Sequence, residues 1–523
     1  MRPIEMVASA GSDRSVVDRS LLCCRQNRTA AAGRGSDRAR EQQRSLVLAL
    51  KGAELSLEEL WMSYFTSGGD AGCLEIDAYV HGGRGLPTLD RDILAHAVNE
   101  RLDQLAWAKR AAYSRIIRDT EPESAPLAAL VALLDGAHQA APERLPAVAA
   151  AAGHALGVHV DMYLVDYDER SLHRVRAPSS TCEHAAAVDV LDVDTTLPGR
   201  AFRLVQTLPS HGADRPRLWV PLLDGSERLG VLDIQVEDHA DLYDPGLRVQ
   251  CRWMSRLLGH LVTATTRLGD ALEGARLTTP RTPNAELIWS MLPPLTAGVD
   301  NFVISGVVEP RHDLNGDAFD YALSDTTAQL IVIDAVGHDP ASGLIAATAL
   351  AAYRSARHAG HGLFEQARVI DQAIADQFGR GQFATAVLAE LYMSTGRLRY
   401  INAGHPEPMI MRGGRIVKPL RGGHRLPLGL GDAELTVAEE VLQPDDWLVL
   451  YTDGITEARD GEGAFFGEER LTDFLRREAA AGHPPPETAR RLINAVLAHQ
   501  HGTLQDDATV LLARWTNPGK LTP

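Results

Sequence analysis

Four acidic stretches in the C-terminal half of the chain contain the residues best able to do chemistry. One is Asp453-Gly454, which follows an apolar run at residues 446–451 of the kind that a buried strand needs. The other three stretches also stand at the ends of apolar runs, and their acids are Asp317 with Asp320, Asp334, and Asp506 with Asp507. Because strand ends can meet at one edge of a sheet, we predict that these acids form one metal site.

Carboxylates are the ligands that hard divalent cations such as Mg²⁺ and Mn²⁺ prefer, and these ions keep several waters. Two such ions about 3.5–4 Å apart can share a bridging water or hydroxide, which can attack phosphorus in line without any side-chain nucleophile. The sequence agrees with this chemistry, since it has no Gly-x-Ser-x-Gly elbow, no His-Glu-x-x-His zinc helix and no phosphate-binding P-loop.

Each acid also has a simpler interpretation. Asp453-Gly454 could be an ordinary turn, and Asp506 with Asp507 could be a solvated pair before a strand. Their joint occurrence at strand ends favours metal ligation over these alternatives.

Residues 295–515 must position these acids, and their apolar patterns predict alternating strands and helices. Strands are predicted at 302–309, 328–334, 384–393, 397–402, 434–441, 446–451 and 507–514, and helices at 341–357, 363–378, 468–479 and 486–500. Several strands join as hairpins, such as 384–402 through Ser394-Thr395-Gly396. This favours antiparallel sheets with helices packed outside over a parallel βαβ fold.

The bulk composition limits the class of protein. The chain has 523 residues, 45% of them hydrophobic, and a net charge of −17, which predicts several domains and argues against nucleic acid as a partner. Five dispersed cysteines suit a reducing compartment. No apolar run approaches the roughly 18 residues of a membrane span, and the N-terminus lacks the apolar core of a secretory signal. We therefore expect a cytoplasmic protein without a membrane partner.

The N-terminal 120 residues carry no catalytic constellation. Residues 1–45 are rich in Arg, Ser, Gly and Gln and are predicted to be a disordered tail. Residues 46–120 are predicted to be a helical domain, in which Ser56 with Glu59 forms a capping box and a longer helix runs from about 90 to 109. We expect a packing or dimerisation role for this domain, because it lacks a site of its own.

Residues 127–270 are predicted to combine helices and strands. An alanine-rich helical region to His154 follows a linker at 120–126, and then come strands at 158–165, 218–222 and 229–234 with a short helix at 197–202. With Pro198-Gly199-Arg200-Ala201-Phe202 and residues 217–234 as its most specific segments, this stretch resembles a GAF domain. GAF domains bind small ligands or simply dimerise, and both roles stay open. Cys182 and His184 lie near a possible pocket or in a solvated loop.

A single helix is predicted from Pro245 to about Leu277, as part of a connector at 245–283. Apolar residues follow each other four and three apart, which is heptad spacing, at Leu257, Leu261, Ala264, Leu268, Ala271 and Ala275. The pattern fits a parallel connector in a homodimer, and it fits equally a helix packed on the GAF-like sheet.

Residues 284–514 resemble the SpoIIE/RsbU-type bacterial branch of the PPM (PP2C-like) protein serine/threonine phosphatases. The motifs that carry the resemblance are Asn315-Gly316-Asp317-Ala318-Phe319-Asp320, Asp334-Ala335-Val336-Gly337-His338, Asn402-Ala403-Gly404-His405-Pro406, Leu426-Pro427-Leu428-Gly429-Leu430, Tyr451-Thr452-Asp453-Gly454 with Glu457, Phe466-Gly467, and Asp506-Asp507-Ala508-Thr509. The resemblance implies a PP2C-like sandwich of two antiparallel sheets flanked by helices at residues 284–515, within a multidomain α+β chain.

The resemblance also implies roles for the acids. Two Mn²⁺ or Mg²⁺ ions would be bridged by Asp334, with Asp334 and Asp453 as the catalytic acids. The full set of implied metal ligands is Asp317, Asp334, the carbonyl of Ala335, Asp453 and Asp506. Asp320 and Asp507 would orient these ligands and their waters.

The resemblance implies a substrate and a mode of control as well. The substrate would be a phosphorylated anti-anti-sigma (STAS) protein in a partner-switching pathway. The GAF-like region, with its own small-molecule ligand or without one, would regulate the phosphatase through the helix at 285–292.

The sequence departs from the family pattern at three positions. Asn315 and Asp339 stand where glycines are usual, and Val336 stands where animal PP2C enzymes have a general-acid histidine. A water is therefore expected to protonate the leaving group, with His338 and His405 as weaker candidates for the acid. Arg311 could meet substrate phosphate or be a plain surface residue.

Two other functions remain open. The chain could be a catalytically silent pseudophosphatase that acts as a ligand-responsive scaffold, although all the implied ligands are present. It could also be a phosphatase for a small phosphorylated metabolite.

Overall fold

A computed structural model describes most of the chain between residues 39 and 516. The described residues are 39–104, 111, 124–176, 189–211, 215–278, 280–310, 316–337, 340–379, 381–431 and 436–516. Most of the tail and linker predictions therefore lie outside the described residues, as do the candidates Cys182, His184, Arg311, His338 and Asp339. The chain divides into two compact units, Met1–Glu121 and Pro122–Pro523.

The first unit is helical where it is described. Its helices are α1 (39–53), α2 (Leu57–Thr66), α3 (Cys73–Val80) and α4 (Thr88–Gln104). The predicted capping box is confirmed, because the Glu59 N–H donates to Ser56 Oγ (3.2 Å) and the Ser56 N–H donates to Glu59 Oε2 (2.8 Å). Leu94, Val98 and Leu102 recur at helical spacing on α4 and are buried in the core of this unit.

The second unit begins with a region that we call the central region (residues 124–278). Its helices are α5 (Ala125–Ala137), α6 (Leu145–Ala155), α7 (Leu197–Leu204), α8 (Pro245–Thr266) and α9 (Ala271–Arg276). Its strands are β1 (His159–Val165), β2 (Ser171–Val175), β3 (Val190–Asp192), β4 (Leu208–Ser210), β5 (Arg217–Asp224) and β6 (Glu227–Gln235). They form one antiparallel sheet in the order β3-β2-β1-β6-β5-β4.

Both faces of this sheet are covered, as alternation along its strands requires. Leu164 on one face packs in the core beneath α5, α6 and α8. Its neighbour Tyr163 points to the other face and packs with Phe202 of α7 and Trp219. The region therefore has the α/β architecture that was expected, while its assignment as GAF-like stays a prediction.

The helix predicted from Pro245 to Leu277 is shorter than expected, because α8 ends at Thr266 and α9 starts only at Ala271. The hydroxyls of Thr265 and Thr266 bond back to carbonyls of the preceding turn (2.6 and 2.7 Å), and this competition weakens helix continuation. Leu268 of the predicted heptad lies in the break and is 70% exposed. The buried face of α8, which includes Met254 and Leu258, packs against β5 in the core of the central region. This is the second of the two arrangements considered for this segment.

The rest of the second unit, which we call the C-terminal region (residues 280–516), contains two further sheets. Its helices are α10 (Pro283–Met291), α11 (Pro340–His358), α12 (Leu363–Phe378), α13 (Asp453–Thr456), α14 (Gly467–Ala481) and α15 (Pro485–His499). Its strands are β7 (Thr296–Val299), β8 (Phe302–Glu309), β9 (Asp317–Leu323), β10 (Thr327–Ala335), β11 (Ala384–Tyr392), β12 (Arg397–Ala403), β13 (Met409–Arg412), β14 (Arg415–Pro419), β15 (His424–Arg425), β16 (Ala438–Val441), β17 (Trp447–Tyr451) and β18 (Ala508–Trp515).

The two sheets pack face to face as a sandwich. One has the order β14-β13-β17-β18-β8-β7, and the other has the order β15-β12-β11-β10-β9 with β16 beside β12. All neighbouring strands are antiparallel except β12 and β15. Leu511 points into the core between the sheets, whereas Leu512 points outward beneath α14 and α15. The outer face of the other sheet is covered by α11 and α12, so helices flank both sheets.

The strong apolar patterns predicted their elements to within a few residues, and α12 coincides with its prediction. The strands that were missed are short or interrupted by charged residues and glycines, and they are β2, β3 and β4 in the central region and β7, β9, β13, β14 and β15 in the C-terminal region. Within the described part of the chain, no helix is both long and apolar enough to cross a bilayer.

Candidate metal centre

The predicted acids lie at the ends of four strands. Asp317 is the first residue of β9 and lies directly opposite Asp334 in β10, where the antiparallel register pairs the start of one strand with the end of the other. Asp453 begins α13 immediately after β17, and Asp506 lies just before the neighbouring strand β18. The prediction placed every acid at the end of an apolar run, which holds for Asp334 and Asp453, whereas Asp317 begins its strand and Asp506 precedes one.

Two hydrogen bonds join the acids of the two sheets. The Thr452 hydroxyl donates to Asp317 Oδ2 (2.7 Å) and accepts from the Thr509 N–H (2.9 Å). The Gly316 N–H donates to Asp507 Oδ2 (2.7 Å). Since Asp317 belongs to one sheet and Thr452 follows a strand of the other, these bonds bring both sets of acids to one end of the sandwich.

The glycine of the Asp453-Gly454 pair is required by a close approach of two backbone segments. A Cβ at Gly454 would lie 1.8 Å from the Asp507 carbonyl oxygen, a distance that no side chain could tolerate. Gly454 itself is buried in the short helix α13. The pair is thus more than a surface turn, because it packs the Asp453 backbone against the segment that carries Asp507.

The acids oppose one another electrostatically. Burial and then the charges of Asp453, Asp506 and Asp507 raise the pKa of Asp334 to about 8. Burial raises the pKa of Asp317 well above its usual value, with further contributions from Asp334 and Asp507. Burial, Asp506 and Glu457 raise the pKa of Asp453. Like charges held together in this way favour either protons or a bound cation.

The donor chemistry of this cluster fits Mg²⁺ or Mn²⁺, which take carboxylate oxygens. No described arginine, lysine or histidine forms an ion pair with Asp317, Asp334, Asp453 or Asp506, so the described residues leave their charge uncompensated. The described residues nevertheless contain no group of three or more His, Cys, Asp or Glu arranged to hold a metal ion. Metal ligation by these acids therefore stays a prediction.

Asp320 and Ala335 occupy different surroundings from the other candidates. Asp320 accepts hydrogen bonds from Arg354 Nε (3.0 Å) and Arg357 Nη2 (2.7 Å) of α11. Arg354 also donates to the Met291 carbonyl at the end of α10, so this acid links β9 to two helices. Ala335 is the last residue of β10, where its N–H donates to the Gly316 carbonyl (3.0 Å).

His405 is buried in a turn, and burial lowers its pKa to about 4. Its Nδ1 lies 2.8 Å from the Thr385 hydroxyl, and its backbone is held by the Asn402 side chain. A histidine that is neutral at physiological pH cannot donate a proton to a leaving group. The structure therefore favours a packing role for His405.

Sequence reasoning gave no role to Thr452 and Thr509, although both lie in the quoted motifs. Thr452 is fully buried, and a threonine immediately before a candidate ligand is the one signal that could have identified it. Its importance depends on a contact 135 residues away in sequence, which no local pattern contains.

Comparisons with known proteins point to one family. Residues 324–516 match the family model described as Stage II sporulation protein E (SpoIIE). Protein IcfG of Synechocystis sp. is 24% identical over 256 residues, which are 44% of this chain and 40% of IcfG. Phosphoserine phosphatase RsbP of Bacillus subtilis is 24% identical over 164 residues, which are 30% of this chain and 40% of RsbP. The chain thus spans about two-fifths of the length of either relative.

Solved structures of two PP2C domains are similar to this chain over less than half of its length. The SiaA-PP2C domain of Pseudomonas aeruginosa is 25% identical, with a TM-score of 0.39 over 48% of this chain and 98% of that one. The PP2C phosphatase domain of Bacillus subtilis SpoIIE, with a fragment of its regulatory domain, is 17% identical, with a TM-score of 0.36 over 41% and 63% of the two chains.

The family match and the resemblance of the motifs define the class. The C-terminal region carries a domain of the PP2C class of protein serine/threonine phosphatases. Within that class the domain is of the SpoIIE type.

Proposed function

We propose that the protein is a metal-dependent protein serine/threonine phosphatase whose activity is controlled by its central region. The observation that carries the proposal is the meeting of Asp317, Asp334, Asp453 and Asp506 at one end of the sandwich, where burial and mutual repulsion raise the pKa values of the first three. PP2C-type enzymes depend on Mg²⁺ or Mn²⁺, and this cluster supplies the oxygen donors that such ions take.

The residues of this site would have different roles in catalysis. Asp334 is central, because the charges of three other acids act on its carboxylate, and it would hold the metal together with Asp317, Asp453 and Asp506. Thr452 holds the Asp317 carboxylate in one orientation, and the Gly316 N–H holds that of Asp507. Two divalent cations would supply an activated water and neutralise charge on the phosphoryl oxygens. The leaving serine oxygen would take its proton from water, since Val336 cannot donate one and His405 is buried.

We propose a phosphorylated STAS protein as the substrate, in a partner-switching pathway of the cytoplasm. The resemblance of the motifs supports this, and RsbP, one of the relatives, is named a phosphoserine phosphatase. The test is release of phosphate from a panel of phosphorylated STAS proteins and from free phosphoserine, with and without Mn²⁺. We expect Mn²⁺-dependent release from at least one protein and much slower release from free phosphoserine. Equal rates on free phosphoserine would point to a metabolite phosphatase instead.

One observation favours a second candidate, a binding scaffold without catalysis. The described acids do not form a group arranged to hold an ion. Calorimetric titration of the full chain with Mn²⁺ separates the two candidates. We expect binding that is lost in Asp334→Asn; a chain that binds no Mn²⁺ and releases no phosphate would be a scaffold.

Control by the central region is supported by a buried ionic cluster between that region and the C-terminal region. Arg228 of β6 contacts Glu169 Oε2 (2.6 Å) and Glu487 Oε2 of α15 (3.5 Å). Arg490 of α15 contacts the same Glu487 (3.0 Å) and reaches Asp194 Oδ1 of the central region (2.6 Å). The side chains of Arg228, Glu487 and Arg490 are at most 2% exposed. We call this set, Glu169, Asp194, Arg228, Glu487 and Arg490, the interregion cluster.

The interregion cluster connects to the acids through rigid elements. Helix α15 packs against β8 and β18, and β18 begins immediately after Asp507. A second contact joins Arg170 of the central region to Glu309 at the end of β8 (3.0 Å), and Glu309 lies opposite Ala508 in β18. A shift of the central region would therefore act on the strand that positions Asp506 and Asp507. This is the route by which we propose that a signal alters activity.

A further inference from the structure

A groove in the central region has the charge and the shape of a binding site for anions. It has a volume of about 370 Å³ and lies between α8, β5 and the turn after α7. Arg248, Arg252 and Arg256 line it, and their spacing of four residues places them on one face of α8. No acidic residue is among the described residues that line the groove. We call it the arginine groove.

The three arginines differ in what they already contact. Arg248 donates to the Leu242 carbonyl (2.8 Å) and the Thr207 carbonyl (2.9 Å), and so fixes one wall of the groove. Arg252 and Arg256 are exposed, and neither has a hydrogen bond or an ion pair with any described residue. Elsewhere on the same sheet, arginines are paired, as Arg217 is with Asp233 (3.0 Å). Two uncompensated cations in a concave site are unusual in a chain of net charge −17.

We propose that the arginine groove binds a small molecule that carries a phosphate or diphosphate group. The planar guanidinium fork matches phosphate oxygens and can donate two parallel hydrogen bonds to them. Residues four apart on a helix rise by about 6 Å, so Arg252 and Arg256 can meet neighbouring phosphates of one ligand. Leu223 of β5 is half-buried and gives the groove an apolar surface for the rest of the molecule, and the volume of the groove is in the range of small-ligand sites.

The arginine groove also lies beside the interregion cluster. A ligand in the groove could therefore take part in the proposed regulation, and this role rests on the proposed function. Leu223 in the groove is the cross-strand partner of Arg228, which contacts Glu487. Helix α8 approaches this strand so closely that a Cβ at Gly259 would lie 1.9 Å from the Leu223 carbonyl oxygen. A ligand that moves α8 would therefore press on Leu223 and, through it, on Arg228.

Calorimetric titration of the full chain in buffer with EDTA tests the site separately from any metal-dependent activity. The probes are inorganic phosphate, AMP, ADP and adenosine. We expect ADP or AMP to bind, adenosine not to bind, and the double variant Arg252→Ala/Arg256→Ala to bind at least tenfold more weakly. Arg267→Ala, an exposed arginine just after the same helix, is the matched control and should bind as the unaltered chain does.

The outcomes separate the possible ligands and the two proposals. Binding of inorganic phosphate as tight as that of ADP would make free phosphate the ligand and leave the apolar surface without a role. Binding that survives the double variant, binding of adenosine equal to that of ADP, or no heat with any probe would overturn the site. Binding without any phosphatase activity would support the groove and contradict only the proposed function.

Discussion

Two buried clusters of charge in the second unit have opposite electrostatic designs. In the interregion cluster, the carboxylates of Glu169, Asp194 and Glu487 alternate with the guanidinium groups of Arg228 and Arg490. In the acid cluster, Asp317 faces Asp334 across a strand pair, and the described residues supply these two with no basic partner. The first cluster needs nothing further to be stable, whereas the second contains repulsion that only protons or an added cation can relieve.

The pKa shifts show how neighbouring charges act in each cluster. In the interregion cluster, the hydrogen bond from Arg490 lowers the pKa of Asp194, whereas burial raises the pKa of Glu169 although the charges of Arg228 and Arg490 oppose that rise. Burial and neighbouring acids raise the pKa of Asp334 to about 8. A compensated cluster is typical of a structural contact, and an uncompensated one indicates a functional site.

The largest effect is expected for Asp453→Asn. Loss of a residue that merely supports a metal ligand costs about 10–100-fold, so loss of a proposed ligand should lower phosphatase activity by at least about a hundredfold. The variant should unfold at the same temperature as the unaltered chain or higher in metal-free buffer, because one repelling charge is gone. Phosphate release and thermal unfolding measure the two effects.

Asp473→Asn is the matched control for this variant, since it makes the same change at an exposed acid of α14. It should leave both quantities unchanged. Full activity in Asp453→Asn would remove the acid cluster from catalysis.

In the interregion cluster, by contrast, removal of a carboxylate should lower the stability of the chain. Glu487→Ala removes the carboxylate that Arg228 and Arg490 share, and breaking a buried ion pair costs up to about 3–5 kcal/mol of folding free energy, less where the arginines keep a second acid as they do here. Chemical denaturation of the full chain measures this loss. Glu487→Gln should cost less because its amide oxygen still accepts hydrogen bonds, and Glu469→Ala, at an exposed position of α14, should cost nothing measurable. A neutral result for Glu487→Ala would show that the cluster does not hold the two regions together.

Divalent metal should stabilise the folded chain only by binding to the acid cluster. A ligand that binds the folded state at a hundred times its dissociation constant stabilises by about 2.7 kcal/mol, so saturating Mn²⁺ should raise the unfolding temperature by several degrees. EDTA should reverse the rise, and Asp334→Asn should abolish it while Glu487→Gln keeps it. A rise that persists in Asp334→Asn would place the metal elsewhere.

The sequence predicted much of the C-terminal region because its strongest patterns are local. The apolar runs of β8, β10 and β17 and the amphipathic helices α11 and α12 were each found near their observed bounds. Asp334, Asp453 and Asp506 were found for the same reason, since each borders such a run. Strand β9 was missed because its polar positions Asp317, Asp320 and Tyr321 interrupt the apolar pattern.

The remaining features depend on contacts between distant residues. Glu487 and Arg490 are visible in the sequence only as an oppositely charged pair three apart on a helix, a pattern typical of exposed surfaces. Their burial follows from Arg228, 259 residues away from Glu487. Asp320 carries an acidic side chain in the same motif as Asp317, yet its partners Arg354 and Arg357 come from a helix that the motif does not include.

Thr452→Val should have an intermediate effect, because it removes one support of the acid cluster and none of its charges. The Thr509 N–H would lose its buried acceptor, at a cost of about 1–3 kcal/mol, and Asp317 would lose a donor. Activity should fall about tenfold, within the range for residues that orient metal ligands. Thr452→Ser keeps the hydroxyl and should restore activity. If Thr452→Ser is as inactive as Thr452→Val, the methyl group and its packing matter more than the hydrogen bond.

The smallest effect is expected for an ion pair of excellent geometry at the surface. Arg397 of β12 donates to Glu439 of β16 from both Nε (3.1 Å) and Nη2 (2.5 Å), a two-point contact of the same kind as that of Arg490 with Glu487 (3.0 Å for both bonds). Both side chains are about half exposed, at 52% and 48%, so water and salt screen their attraction. Arg397→Ala should therefore leave the unfolding midpoint unchanged within error at physiological ionic strength, in contrast to Glu487→Ala. A loss as large as that of Glu487→Ala would mean that contact geometry, and not burial, decides which charges matter in this protein. The presence or absence of basic partners for the carboxylates would then not be enough to distinguish the two clusters.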